Sequence, residues 1–320
     1  MGTVEGCLDP APESVRSGGE RTSPRDRHRP VGELRVLVTG SAGFIGSRSV
    51  EQLRAAGHLV RGADRDAPRG RDRIDLVDYP TVRSLVQRFH PNAVLHLAAL
   101  ASVPACEADP ERCFQENVVV TGNVARAAAL VGARLLFSSS AAVYGNDAPV
   151  PTAVSGPTRP TNLYGLSKLA GEGICRAIAS KTFVFRLFNV YGEGCRRSYV
   201  IPDVIRRLRS RPPTLLLSGT GREARDFVYV GDVVRAFEQS LRQSKGGTFN
   251  VGSGTCTRIR DLVSLIADKM DLPRPRLIFS GARAGDFRVN HADVSGTNCL
   301  PRWSPTVSLD DGIERTLAAG

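Results

Sequence analysis

Tyr164 and Lys168 stand four residues apart in "YGLSK", so a helix there puts both on one face. Ser140 closes the run "FSSS", where an apolar strand gives way to small residues. A phenol with its ordinary pKa near ~10 is a poor base at neutral pH. A neighbouring ammonium favours the phenolate by Coulomb attraction and brings it nearer the working range. Such a pair suits proton transfer at a hydroxyl, with Ser140 hydrogen-bonding the same oxygen. The spacing alone proves little, because i,i+4 pairs are common on helices. The two residues after Ser140 are Ala141 and Ala142, which can act as neither acid nor base.

A second group of residues points to phosphate. "VTGSAGFIG" spaces Gly40, Gly43 and Gly46 between an apolar β-branched run and a helical pattern, with Phe44 and Ile45 inside the turn. Glycine allows a tight turn and lets backbone N–H groups approach a pyrophosphate at a helix N-terminus. Asp64 ends the next predicted strand, 18 residues after Gly46. A carboxylate there accepts hydrogen bonds from both adenosine ribose hydroxyls and repels a 2′-phosphate. That favours NAD over NADP, while Arg65 beside it pulls the other way. Asp75 and Leu76, in "RIDLVD", border the adenine if the loop returns to this site.

The elements that must position these residues alternate. "LRVLVTG", "HLVRGAD", "AVLHLAA", "RLLFSS" and "FVFRLF" read as strands, separated by helical stretches at 44–57, 79–89, 113–132 and 161–179. Strand–helix alternation implies right-handed βαβ units and a doubly wound parallel sheet, an α/β fold of Rossmann type. Residues 34–190 are expected to form this cofactor lobe. Residues 191–320 should form mainly a smaller α/β lobe for substrate, with returns to the sheet near 225–252. Trp303 is expected to anchor that smaller lobe. His96, with no carboxylate partner in sight, reads as a packed strand residue.

Composition narrows the class. Residues 1–33 lack apolar periodicity and read as a disordered tail. No apolar run approaches a membrane span, and no export signal is read at the N-terminus, so a cytoplasmic protein is expected. Seven scattered cysteines form no CxxC pair, which argues against a disulfide framework or a zinc site. The net charge of +11 suits anionic ligands, but 39 of the 43 basic residues are dispersed arginines rather than a stripe for nucleic acid.

From about Leu34 onward the chain resembles the extended short-chain dehydrogenase/reductases. The resemblance is strongest to their NAD-dependent epimerase/dehydratase branch. It rests on "TGSAGFIGS", "HLAA", "FSSSAAVYG", "YGLSK", "RLFNVYG", "RDFVYVGD", "NVGSG" and "ARAGD" in that order. The resemblance implies a catalytic triad of Ser140, Tyr164 and Lys168. It implies an NAD site lined by Gly40, Gly43, Phe44, Ile45, Gly46, Asp64, Asp75, Leu76, Ala98, Asn117, Tyr164 and Lys168. It also implies a nucleotide-diphosphate sugar held by Ser140, Asn189, Arg225 and Arg283, with Asn290 bordering the sugar pocket. A homodimer through helix faces such as "VVTGNVARAAALVG" is implied as well.

Ala141 and Ala142 then select the reaction. The branch's 4,6-dehydratases carry Asp and Glu at these positions, and its decarboxylases carry Glu at the second. Two alanines leave reversible hydride transfer at one carbinol. In a 4-epimerase, the Tyr164 phenolate takes the C4 hydroxyl proton while hydride leaves C4. The ketose turns over and hydride returns to its opposite face. A nucleotide-4-ketosugar reductase would run one half of this with exchanging cofactor. A non-catalytic NAD-binding protein would need the triad broken. The modest size of Asn290 is expected to admit UDP-hexoses and UDP-N-acetylhexosamines alike.

Overall fold

The computed structural model describes residues 33–67, 72–195, 199–281, 288–295 and 300–319. The tail expected at the N-terminus and Arg283 lie outside the described residues. Chain order begins β1 (Arg35–Thr39), α1 (Phe44–Ala55), β2 (Leu59–Asp64), β3 (Asp72–Arg73), α2 (Tyr79–Phe89) and β4 (Ala93–His96). Next come α3 (Val103–Ala108), α4 (Pro110–Phe114), a π-helical turn at Gln115–Val119 and α5 (Val120–Leu130). β5 (Arg134–Ser140) then runs into a 3₁₀ turn at Ala141–Tyr144, followed by α6 (Leu163–Ile178) and β6 (Thr182–Leu187).

β1 to β6 and β10 (Gly247–Val251) form one seven-stranded sheet in the order β10-β6-β5-β4-β1-β2-β3. Every pairing in it is parallel. The central strands show why: β1 and β4 are short and mainly apolar on both faces, as a sheet covered on both sides requires. Val36 and Val38 of β1 enter one core, with Val50 and Leu53 of α1 and Phe237 further along the chain. Leu37 enters the other, with Leu85 of α2 and Val124 of α5. Trp303 packs into the first of these cores, under the main sheet, and not into the smaller lobe. Its Nε1 donates to the Asp232 carbonyl at 3.0 Å. Chain order reverses between β1 and β4, which opens a crevice at the carboxyl ends of the strands.

The remaining elements are β7 (Asn189–Tyr191), α7 (Val200–Leu208), β8 (Thr214–Leu217), β9 (Ala224–Tyr229) and α8 (Val230–Ser240), which precede β10. After β10 come β11 (Cys256–Arg258), α9 (Ile259–Lys269), β12 (Arg276–Phe279), β13 (Val289–Asn290) and α10 (Leu309–Ala318). β9 is the hub of a second sheet, pairing with β7, β11 and β13. β8 pairs with β12. A third core, including Tyr191, Ile201, Leu215, Phe227, Leu262 and Ile313, fills this lobe.

The helix expected at 113–132 is broken into α4, the π-helical turn and α5. Asn117 sits in the π-helical segment, a backbone form that concentrates at functional sites.

Candidate active site

A cleft of about 940 Å³ runs across the carboxyl ends of the sheet strands and under the second lobe. At one end the β1–α1 turn forms its floor. Gly40 adopts φ +69, and a Cβ on Gly46 would lie 2.0 Å from the Gly40 carbonyl oxygen. Only glycine keeps this turn closed. No side chain caps the N-terminus of α1, so its first amides are left to the cleft, where Gly43, Phe44 and Ile45 form the wall. Asp64 stands at the tip of β2, accepting from the amides of Ala42 and Asp66, each at 2.9 Å. Amides for a pyrophosphate and a carboxylate for a ribose fit a dinucleotide.

Gly40, Asp75, Leu76 and Ala98 line this end of the cleft with the residues above. Asn117 does not. It is buried one layer behind the wall, accepting from the Leu100 amide at 2.7 Å and donating to Ser167 Oγ at 2.9 Å. It holds the 97–101 loop and so acts on the cleft through that loop. His96 is a packed strand residue, hydrogen-bonded to Thr39 and Thr121. Burial lowers its pKa to about 3, with the Lys168 charge adding to the effect, so it stays neutral.

Ser140, Tyr164 and Lys168 meet at the middle of the cleft. Asn162 caps α6, accepting from the Gly165 amide at 2.8 Å, which sets the register of Tyr164 and Lys168. Ser140 Oγ accepts from the Ala142 amide at 3.1 Å, which fixes the hydroxyl where β5 ends. Ala141 and Ala142 are buried against the same cleft.

The charges differ from expectation. Tyr164 is raised above the ordinary phenol value, chiefly by burial, with Tyr199 adding and a hydrogen bond with Ser140 opposing. Lys168 is itself lowered from 10.5 to about 8, chiefly by burial. Its Nζ donates to the Ser138 carbonyl at 2.8 Å and stands 5.9 Å from the Tyr164 ring centroid. The i,i+4 spacing brings the two groups near each other, but burial is the largest cause of both shifts.

Behind the triad lies a charged network not foreseen from sequence. Glu172, fully buried one turn after Lys168, accepts two hydrogen bonds from Arg186 at 2.9 Å and one from Ser139 at 2.6 Å. Arg176 adds a third cation-borne hydrogen bond at 2.9 Å. The stripe Tyr164, Lys168, Glu172, Arg176 was its available signal. Glu172 thereby ties α6 to Ser139, the residue before Ser140.

At the far end Asn189, Arg225 and Asn290 line the cleft. Asn189 Nδ2 donates to the Asp226 carbonyl at 3.0 Å. The Asp226 carboxylate, fully buried, accepts from the amides of Ser253, Gly254 and Ala292. It thus joins β9, which carries Arg225, to the segment that carries Asn290. The Asn290 Oδ1 is buried with no hydrogen-bond partner among the described residues. Tyr199, which carried no sequence signal, donates to the Ala101 carbonyl at 3.0 Å and links the two walls.

Among the described residues, no cluster of His, Cys, Asp or Glu could hold a metal ion, and no helix is long and apolar enough to cross a membrane.

Comparison with known proteins agrees with this geometry. A UDP-glucose 4-epimerase of Mycolicibacterium smegmatis is 33% identical, over 89% of this chain and 97% of its own. The solved UDP-glucose 4-epimerase of Thermus thermophilus, a complex with NAD, is 31% identical. Its TM-score is 0.81, with 89% of this chain and 98% of that one covered. A UDP-N-acetylglucosamine 4-epimerase from Methanobrevibacter ruminantium, in complex with UDP-N-acetylmuramic acid, is 27% identical. Its TM-score is 0.82, with 90% and 98% covered. Residues 36–252 match the NAD dependent epimerase/dehydratase family, and the chain belongs to it.

Proposed function

We propose that the protein is an NAD-dependent nucleotide-sugar 4-epimerase. The observation that carries this reading is one cleft holding Ser140, Tyr164 and Lys168 beside the buried methyl groups of Ala141 and Ala142. Bound NAD supplies a hydride acceptor and the positive charge of its nicotinamide ring. Tyr164 takes the proton from the sugar C4 hydroxyl, and Ser140 hydrogen-bonds the same oxygen. Lys168 holds its charge beside the phenol, which favours the phenolate as the proton moves. The C4–H bond breaks with both electrons leaving as hydride, giving a 4-ketose. Ala141 and Ala142 offer that ketose no acid for elimination and leave it room to turn. Hydride then returns to the opposite face, and Tyr164 gives the proton back.

The sheet lobe 34–190, with the returns near 225–252, is proposed to hold NAD, and 191–320 mainly the sugar nucleotide. Arg225 and Arg283 are assigned to the diphosphate, for which a guanidinium fork is suited. Asn290 lines the cleft and is of modest size, which supports turnover of UDP-N-acetylhexosamines beside UDP-hexoses. A cytoplasmic homodimer is proposed. Val119 of the π-helical turn, Leu130 of α5, and Leu166 and Ile178 of α6 are large apolar side chains exposed on neighbouring helices.

The test is incubation with UDP-glucose and, separately, UDP-N-acetylglucosamine, with no cofactor added. The 4-epimer should form in both. Product from a 4-ketosugar only with stoichiometric NAD(P)H consumption would make the protein a reductase.

A further inference from the structure

Arg65 follows Asp64 at the end of β2, and both line the dinucleotide end of the cleft. A guanidinium in this place is a natural partner for a 2′-phosphate, which it can grip with two parallel hydrogen bonds. Its fork is already used. Nη1 lies 2.6 Å from Glu116 Oε1, and Nη2 lies 3.2 Å from Oε2. Arg112 Nε donates to the same Oε1 at 2.7 Å and braces the carboxylate from the other side. Asp66 Oδ2 stands 3.9 Å from Arg65 Nε, adding negative charge.

Glu116 is well placed to hold on. It sits on the π-helical turn, and its side chain is 13% exposed. Burial would raise its pKa, but hydrogen bonds from Arg65 and Arg112 outweigh that and hold it below the ordinary glutamate value. It is therefore a carboxylate throughout the neutral range. A partly buried, bidentate pair braced by a third group exceeds the usual worth of a surface ion pair.

We infer that Glu116 is a specificity-determining residue: by holding the Arg65 fork it denies a cation to the 2′-phosphate of NADP and leaves Asp64 to select the free 2′-hydroxyl of NAD. The discrimination is then set by two residues 52 positions apart in sequence. Asp64 repels the phosphate, and Glu116 disarms the arginine that would offset that repulsion. The inference rests on the dinucleotide reading of the cleft.

The test is competition between NAD and NADP for the site, read as the ratio of their Kd values. Glu116→Gln keeps the side-chain shape and removes the charge. It should shift the ratio toward NADP by at least tenfold, and adding Arg65→Ala should restore the original ratio. In the otherwise unaltered protein, Arg65→Ala should leave NADP affinity within about twofold, because the arginine is already engaged. An unchanged ratio in Glu116→Gln overturns the inference. So does a tenfold loss of NADP affinity in Arg65→Ala alone, a result that stands even if the Glu116 variant fails to fold. Absence of NAD binding by the unaltered protein would instead overturn the dinucleotide reading itself.

Discussion

Replacing Lys168 by methionine should make the protein more stable at neutral pH while removing its activity. Burial lowers the Lys168 pKa from 10.5 to about 8, so the folded protein holds an ammonium that would rather be in water. That difference corresponds to about 3 kcal/mol. One interaction offsets part of it: the hydrogen bond to the Ser138 carbonyl, which a neutral amine also makes and methionine lacks, contributes about 1 kcal/mol. Methionine keeps the length and apolar stem, so the variant should gain about 1–2 kcal/mol at pH 7, or about 2–3 °C in Tm for a chain of this size.

The sign with pH follows from linkage. Below pH 8 the lysine is protonated in both folded and unfolded chains, and the full penalty is present. Between about 8 and 10.5 the unfolded chain binds more protons, so the stability of the unaltered protein rises with pH. Above that window the penalty is gone. The advantage of the variant should therefore vanish at about pH 9 and be reversed by about 1 kcal/mol at pH 10.5, through the lost hydrogen bond. Denaturant unfolding at pH 7 and pH 10.5, on protein freed of nucleotide, measures both ends. No gain at pH 7, or a gain that does not change with pH, would refute the claim that Lys168 is held as a strained cation.

Tyr164→Phe should lower kcat by about 10²–10⁴-fold while released-cofactor absorbance shows NAD still bound; loss of NAD together with activity would point to a structural role. Glu172→Gln leaves Arg186 buried without its counter-charge and should cost about 3–5 kcal/mol in denaturant unfolding. A loss below about 1 kcal/mol would mean that water relieves the network. Ala141→Asp with Ala142→Glu fills space beside the triad. Epimerisation should fall at least tenfold while a single oxidation of substrate, seen as NADH absorbance, persists; equal loss of both would show that room for rotation is not the reason for alanine.

What could be read from the sequence was local. The glycine turn, Asp64 at the next strand end and the Tyr164–Lys168 spacing are short-range patterns, and each brings its residues to the same cleft. Long-range partners were not legible. Nothing near Arg65 points to Glu116, and nothing near Tyr199 points to Ala101. The resemblance implied Asn117 as a lining residue, yet it stands behind the wall, because the π-helical turn that carries it has no signature in residue types. Spacing also carries no information on desolvation. The pair was expected to lower the phenol, but burial of both groups dominates. Trp303 was misassigned for a related reason: its partner Asp232 is 71 residues away and lies under the main sheet.

The central claim is that one hydride leaves C4 and returns to the same carbon within the cleft. UDP-glucose carrying deuterium at C4 tests it most directly, in ordinary water with no added cofactor. The account predicts UDP-galactose with the deuterium retained at C4. Product with that deuterium exchanged for solvent hydrogen, or no product until NAD(P)H is supplied, would contradict it.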